Sequence, residues 1–339
     1  MSFLKRVKGI INCIICVSLS AFVMAGCSTS EGITLYDSDQ YQTVSINEGV
    51  VPEAEETSVI EAEETEEPLE EEQVEEIDIE KLFSLGAGVF SWDHLPNIKD
   101  VQCMQDNHIS EIYQYLRPEY TDQEMTDFLR AMNDVDIDVY ILDGEPEWSY
   151  EAEYPGMRRV LERVRNLNSS VEPDARIKGI VYDVEPYVLD KWHNIPDQLL
   201  EEYTNNLISI KQECEADEDH LDICVCIPYS YDNMGHDRAM RKLLKESDQV
   251  FVLNYLKGME IENIKREAAL ARYYSKRMVN VYELQPGLLS QTNNTITYYK
   301  DGIKAVTENY AELMKAYPDH NIAIAYHTLE YLRVLSLKE

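Results

Sequence analysis

Residues 179–187 read Gly-Ile-Val-Tyr-Asp-Val-Glu-Pro-Tyr. The first four are small, β-branched or aromatic, a run too short for a helix and too apolar for a solvated edge, which predicts a strand buried on both faces. Side chains alternate along a strand, so Gly179, Val181, Asp183 and Glu185 point one way and the run closes on two carboxylates that share a face. Seven more such runs occur, at 85–92, 109–116, 138–145, 223–229, 250–256, 279–284 and 322–327. Between them apolar residues recur at helical spacing over 122–133, 156–166, 197–215, 238–246, 262–275 and 299–316, with a shorter connection at 97–107. Thr121 and Glu124 form a capping-box pair, Pro196 suits a first helical position, and Pro318 suits a stop.

Buried strands that alternate with helices imply a parallel sheet covered on both sides, and eight such units fit a closed barrel. The expected fold is therefore α/β, a single (β/α)8 TIM barrel over residues 81–339. An open doubly wound sheet is the alternative; it would more often carry a Gly-rich phosphate turn, and no such motif is present.

The 339 residues include 30 Lys and Arg against 64 Asp and Glu, a formal net charge of −34. A polyanionic partner needs a basic face, so nucleic acid is excluded as a ligand. Residues 1–27 read as a secretory leader: Lys5, Arg6 and Lys8 precede an uncharged apolar run. It ends in Met24-Ala-Gly-Cys27, which resembles a bacterial lipobox and marks Cys27 as the lipidated residue and membrane anchor. Residues 28–80 contain no Lys or Arg and are rich in Glu, a composition that cannot bury enough surface to fold and predicts a disordered acidic tether. Cys103, Cys214, Cys224 and Cys226 remain for the barrel; Cys224 and Cys226 alternate on one strand, poorly placed for a mutual disulfide, and all four are expected as small buried hydrophobes.

In a barrel of this kind chemistry gathers at the carboxyl ends of the strands. Those ends supply Trp92, Tyr115, Asp143, Glu145, Asp183, Glu185, Tyr187, Tyr229, Asn254, Tyr255, Glu283 and His327. Carboxylates, amides and aromatic faces with little positive charge suit a neutral polyhydroxyl ligand, a glycan or cell-wall polysaccharide, and suit phosphate poorly. No cofactor or metal motif is present. The protein is expected to be a monomer.

The Asp183-Val-Glu185 ending resembles that of glycoside hydrolase family 18, the chitinase-type barrels, whose fourth strand ends in Asp-x-Glu. The resemblance implies Glu185 as proton donor, Asp183 as the group that orients the substrate's acetamide, and Tyr255 as its support. Lys178 and Val181 stand where that family has two further Asp residues, and Tyr326-His327 stands where it has a Trp. A second resemblance, to the retaining barrel glycosidases, also makes Glu185 the acid but assigns the nucleophile to Glu283; there Val184 replaces an Asn. A barrel that binds glycans without cleaving them is the competing class.

Overall fold

The computed structural model describes residues 77–215, 220–286 and 295–338. The expected leader, the Cys27 lipidation site and most of the expected tether lie outside the described residues. The chain enters through a short helix, α1 (Ile79–Leu82), capped by the Asp78 carboxylate, which accepts from Lys81 N. This helix straddles the boundary expected at residue 80.

Eight parallel strands follow: β1 (Ala87–Ser91), β2 (Glu111–Tyr115), β3 (Asp138–Asp143), β4 (Gly179–Tyr182), β5 (Asp222–Pro228), β6 (Gln249–Leu253), β7 (Arg277–Glu283) and β8 (Ile322–His327). They close in sequence order, β8 pairing with β1. Each lies in or overlaps one of the eight apolar runs. The helices are α2 (Ile98–Asp106), α3 (Asp122–Asn133), α4 (Pro155–Asn168), α5 (Pro196–Glu215), α6 (Asp237–Glu246), α7 (Glu260–Asn263), α8 (Lys265–Tyr273), α9 (Gly302–Ala316) and α10 (Leu329–Ser336). The Thr121 and Glu124 side chains cap α3 reciprocally, Pro196 opens α5 and α9 stops before Pro318. The single helix expected over 262–275 is broken at Ile264, which is buried while Asn263 Nδ2 turns inward to donate to Asn254 Oδ1 (2.9 Å).

The barrel interior is a packed core. Phe90, Tyr113 and Phe251 meet edge to face with centroids 4.7–6.0 Å apart, surrounded by Leu142, Val181, Cys224, Cys226, Val281 and Ala325. Such rings and branched chains fill the lumen in layers, which seals one end of the barrel from the other. All four described cysteines are buried and free, and Cys224 and Cys226 share the inward face as their alternation required.

At the N-terminal end the lumen is closed by a polar floor. The Arg277 guanidinium donates to both Glu111 oxygens (2.6 and 3.0 Å), to Gln249 Oε1 (2.6 Å) and to the Leu85 carbonyl (3.0 Å). Gln249 Nε2 donates in turn to Asp222 (2.8 Å) and to the Tyr140 hydroxyl (3.1 Å), and the Tyr113 hydroxyl donates to Glu111 (2.7 Å).

Candidate active site

The mouth at the carboxyl ends of the strands is where the acids gather. β4 ends at Tyr182, but Asp183 N still donates to the Asp143 carbonyl (3.0 Å), so the ladder positions one residue more. The approach is close: a Cβ on Gly144 would stand 2.2 Å from the Asp183 carbonyl oxygen. Only glycine lets the end of β3 lie against the end of β4, and this contact fixes the first carboxylate. Asp183 hydrogen-bonds the Cys226 thiol, on an inward position of β5. Glu185 precedes a 3-10 turn (Pro186–Val188), and the Tyr187 hydroxyl donates to its Oε1. Asp183, Glu185 and Tyr187 are all half-buried.

Across the mouth, β7 and β8 hold a second group. Glu283 pairs in register with His327, and both are 5% exposed. His327 Nδ1 lies 3.0 Å from Glu283 Oε2 and 3.1 Å from the Gln285 amide, while Glu283 Oε1 accepts from Gln285 N (2.6 Å). On the other side of the ring, Trp92 Nε1 donates to His327 Nε2 (3.0 Å). Burial pushes the His327 imidazole down, but the charge and hydrogen bond of Glu283, joined by the charges of Asp183 and Glu185, outweigh it and hold the group above its ordinary value. Burial raises the Tyr255 hydroxyl well above its ordinary range, and Glu283, Asp183 and Glu185 add to the effect. Glu283 is bound to the His327 ring, and Asp183 and Glu185 continue the inward parity of Val181 at the same carboxyl end of the barrel, so the three carboxylates face one mouth.

Aromatic rings form the walls. Trp92 lies 5.6 Å from Tyr115, and Tyr255 lies 6.0 Å from His327. On the Glu185 side, Tyr187 and Trp192 both pack on Tyr231 (6.2 and 6.0 Å), and Trp192 meets His236 edge-on (5.1 Å). The His236 ring is held by Asp197 at 2.9 Å. Trp192 had no signal in the sequence: it sits in a 3-10 turn (Asp190–His193) between β4 and α5, outside any strand-end pattern.

Two expected site residues point elsewhere. Asn254 is buried, with its amide donating to the Glu260 carbonyl (2.9 Å) and Asn280 Oδ1 (2.9 Å) and accepting from Asn263 (2.9 Å). It follows the inward Leu253 and so falls on the outer face, where it fastens α7 to the barrel. Asp143 pairs in register with Tyr182, whose hydroxyl reaches the Met157 carbonyl on α4. Asp143 therefore takes the outward parity, and its Oδ1 accepts from Gly144 N (2.8 Å). Both follow from the period of two: the neighbouring inward positions on these strands belong to Leu142 and Tyr255. Tyr229 is buried just past β5 and Glu145 is half-buried past β3. Lys178 lies at the opposite end of β4, 3.5 Å from Asp138. A shallow groove of about 410 Å³ there is lined by Ser110, Glu111, Asn133, Asp138, Asp174 and Lys178, away from the clustered acids.

The sequence matches no protein-family model and no curated protein. Solved structures of similar shape include a chitinase from Bacteroides thetaiotaomicron (9% identity, 73% of this chain and 90% of the other, TM-score 0.46). Others are the active domain 2 of a thermostable chitinase from Pyrococcus furiosus (10% identity, 71% and 82%, TM-score 0.45) and an HpcH/HpaI aldolase from Desulfitobacterium hafniense (10% identity, 76% and 93%, TM-score 0.40). Likenesses this distant carry no argument about chemistry, and barrels of this architecture host many unrelated reactions.

Proposed function

We propose that the protein is a glycoside hydrolase acting on a glycan that contains N-acetylhexosamine. The observation that carries this is the convergence of Asp183 and Glu185 with Tyr255 at one mouth walled by Trp92, Tyr115 and Tyr187. Glu185 gives its proton to the glycosidic oxygen as the bond to the anomeric carbon breaks. The substrate's own acetamide oxygen attacks that carbon, with its nitrogen oriented by Asp183, and water then opens the cyclic intermediate. Glu283 is the weaker nucleophile candidate because both of its oxygens are engaged and it is almost fully covered. It serves instead as the hydrogen-bond acceptor that fixes the His327 ring.

The test is hydrolysis of a panel of chromogenic and polymeric glycans with and without N-acetyl groups. Cleavage confined to acetamido sugars supports the mechanism; equal cleavage of sugars without the group transfers the nucleophile to Glu283. Binding without cleavage of every member would make the protein a glycan-binding barrel. We further propose that Cys27 anchors the barrel to the outer face of the cell membrane through two acyl chains, which give stable attachment where one is marginal. Metabolic labelling with a fatty-acid probe tests it, and freely secreted, unlabelled protein would mean an ordinary cleaved leader.

A further inference from the structure

The hydrogen bonds around His327 fix its protonation state. Trp92 Nε1 carries a hydrogen and can only donate, so the His327 Nε2 facing it at 3.0 Å must be a bare lone pair. The ring proton is then on Nδ1, where Glu283 Oε2 accepts it at 3.0 Å. The structure places Gln285 Nε2 3.1 Å from the same nitrogen, and with Nδ1 donating to Glu283 the Gln285 amide takes the flipped orientation that turns its oxygen toward the ring. This arrangement belongs to the neutral imidazole. In the imidazolium both nitrogens donate, Nε2–H would face Nε1–H, and one of the two rings must leave.

The geometry points to His327 as a positioning residue for Trp92: the neutral ring docks the indole at the mouth, and protonation at Nε2 releases it. Glu283 stays bound in either state, because Nδ1 carries a hydrogen in both. The ring that moves is Trp92, which is half-buried at the rim, whereas His327 is 5% exposed and held between Glu283 and Tyr255.

The surroundings decide the direction of the titration. Glu283 on β7, Asp183 and Glu185 past β4 and Tyr255 past β6 face the ring, and the charges of the three carboxylates favour the imidazolium against its burial. Beyond Trp92 stand the hydrogen-bonded carboxyls of Asp93 and Glu330, with Arg117 bound to Asp93 (3.4 Å) and to the Trp92 carbonyl (3.1 Å). Release therefore occurs on acidification, at a midpoint that the three carboxylates pull up and that burial and the Trp92 hydrogen bond, which favours the neutral ring, pull down. The hydrogen-bond exchange stands independently of the glycosidase proposal. Its consequence for sugar stacking on Trp92 rests on that proposal.

The test is a pH series of ¹⁵N-correlation spectra on the full chain, read at the three indole N–H signals and the histidine ring nitrogens. The indole signal that disappears in Trp92→Phe should move once, from a hydrogen-bonded to a solvated position, with the same midpoint as His327. In His327→Gln, which retains an acceptor but cannot titrate, the signal should stay still. In Glu283→Gln the midpoint should fall by about 1 pH unit or more, as loss of an adjacent opposite charge requires. The parent protein alone can overturn the inference, even where a variant fails to fold. A Trp92 signal that stays still while His327 titrates, or a His327 that does not titrate between about pH 5 and 9, would do so. None of these readouts needs a glycan, so the failure of either proposal leaves the other testable.

Discussion

At the bottom of the barrel Arg277 meets Glu111 through two hydrogen bonds, and every neighbour, Gln249, Asp222, Tyr140 and Tyr113, finds a partner. At the other end of the same strand Glu283 shares the mouth with Asp183 and Glu185, and the titratable ring they act on is the imidazole of His327. At the floor a guanidinium is paired with the Glu111 carboxylate and Asp222 is hydrogen-bonded by Gln249, whereas the mouth gathers three carboxylates around one imidazole. A buried ion pair is often no better than an apolar replacement but is costly to break, whereas unbalanced titratable groups at the open end of a scaffold are candidates for chemistry. Substitution should therefore break the floor through stability and the mouth through activity.

The largest expected effect is at the mouth. A general acid contributes on the order of 10²- to 10⁴-fold, so Glu185→Gln should remove most turnover on a cleaved glycan while the melting temperature and glycan affinity stay near the parent's. Parent-level turnover in this variant would end the catalytic assignment of Glu185.

Next comes the floor. Arg277→Met leaves the partly buried Glu111 beside an apolar chain, and removing one partner of a buried pair costs at most about 3–5 kcal/mol. Denaturant unfolding should show that loss. Arg277→Met with Glu111→Leu should recover much of it, because two apolar groups leave no uncompensated charge. A single variant as stable as the parent would show that the floor is not held by this pair.

The third prediction joins the two ends of the scale. Gly144→Ala forces a methyl against the backbone of Asp183, where the ideal position is 2.2 Å from the carbonyl oxygen. Overpacking of this kind costs about 1–3 kcal/mol. Because the contact also places Asp183, turnover should fall by about 10-fold or more, since small displacements of a reacting group are expensive. A stability loss with unchanged kcat would mean that Asp183 takes no part in the reaction.

The barrel was legible because its strands are buried on both faces, so each of the eight runs has an apolar or β-branched centre and needs no tertiary information to be seen. Asp183, Glu185, Glu283 and His327 were legible for a related reason: each stands at a carboxyl strand end on inward parity. Asn254 and Asp143 misled because strand ends deliver alternate residues to opposite faces, and the register of the last inward side chain is set only when the ladder closes. The floor was invisible for want of a pattern, since Glu111, Gln249 and Arg277 are far apart in sequence and begin strands that otherwise read as apolar. Trp192 was missed because a 3-10 turn has no period to mark its facing side.

The last prediction concerns a carboxyl that belongs to neither end and so separates burial from counter-charge. Glu267 on α8 is fully buried, its two oxygens have no hydrogen-bond partner, and burial, with Asp232 adding to it, pushes its pKa up to about 8. The Glu267 backbone N–H and, more weakly, Arg266 oppose the rise without cancelling it, the Arg266 guanidinium being bound to Asp237 (2.5 Å). In the unfolded chain the group returns to its ordinary value near 4.5. Below that value both states hold the proton and its ionisation makes no contribution to stability. Between about 4.5 and 8 the unfolded chain releases it while the folded one retains it, so stability falls as pH rises, and the loss is complete once the folded state ionises as well. Glu267→Gln keeps the size and removes the proton, so it should match the parent's melting temperature near pH 4.5 and exceed it increasingly up to pH 8. Each tenfold difference in proton affinity between the folded and unfolded chains is worth about 1.4 kcal/mol, or a gain of roughly 3–6 °C in a barrel of this size. Parallel melting curves for parent and variant across that range would instead mean that Glu267 is ionised and solvated in the folded protein.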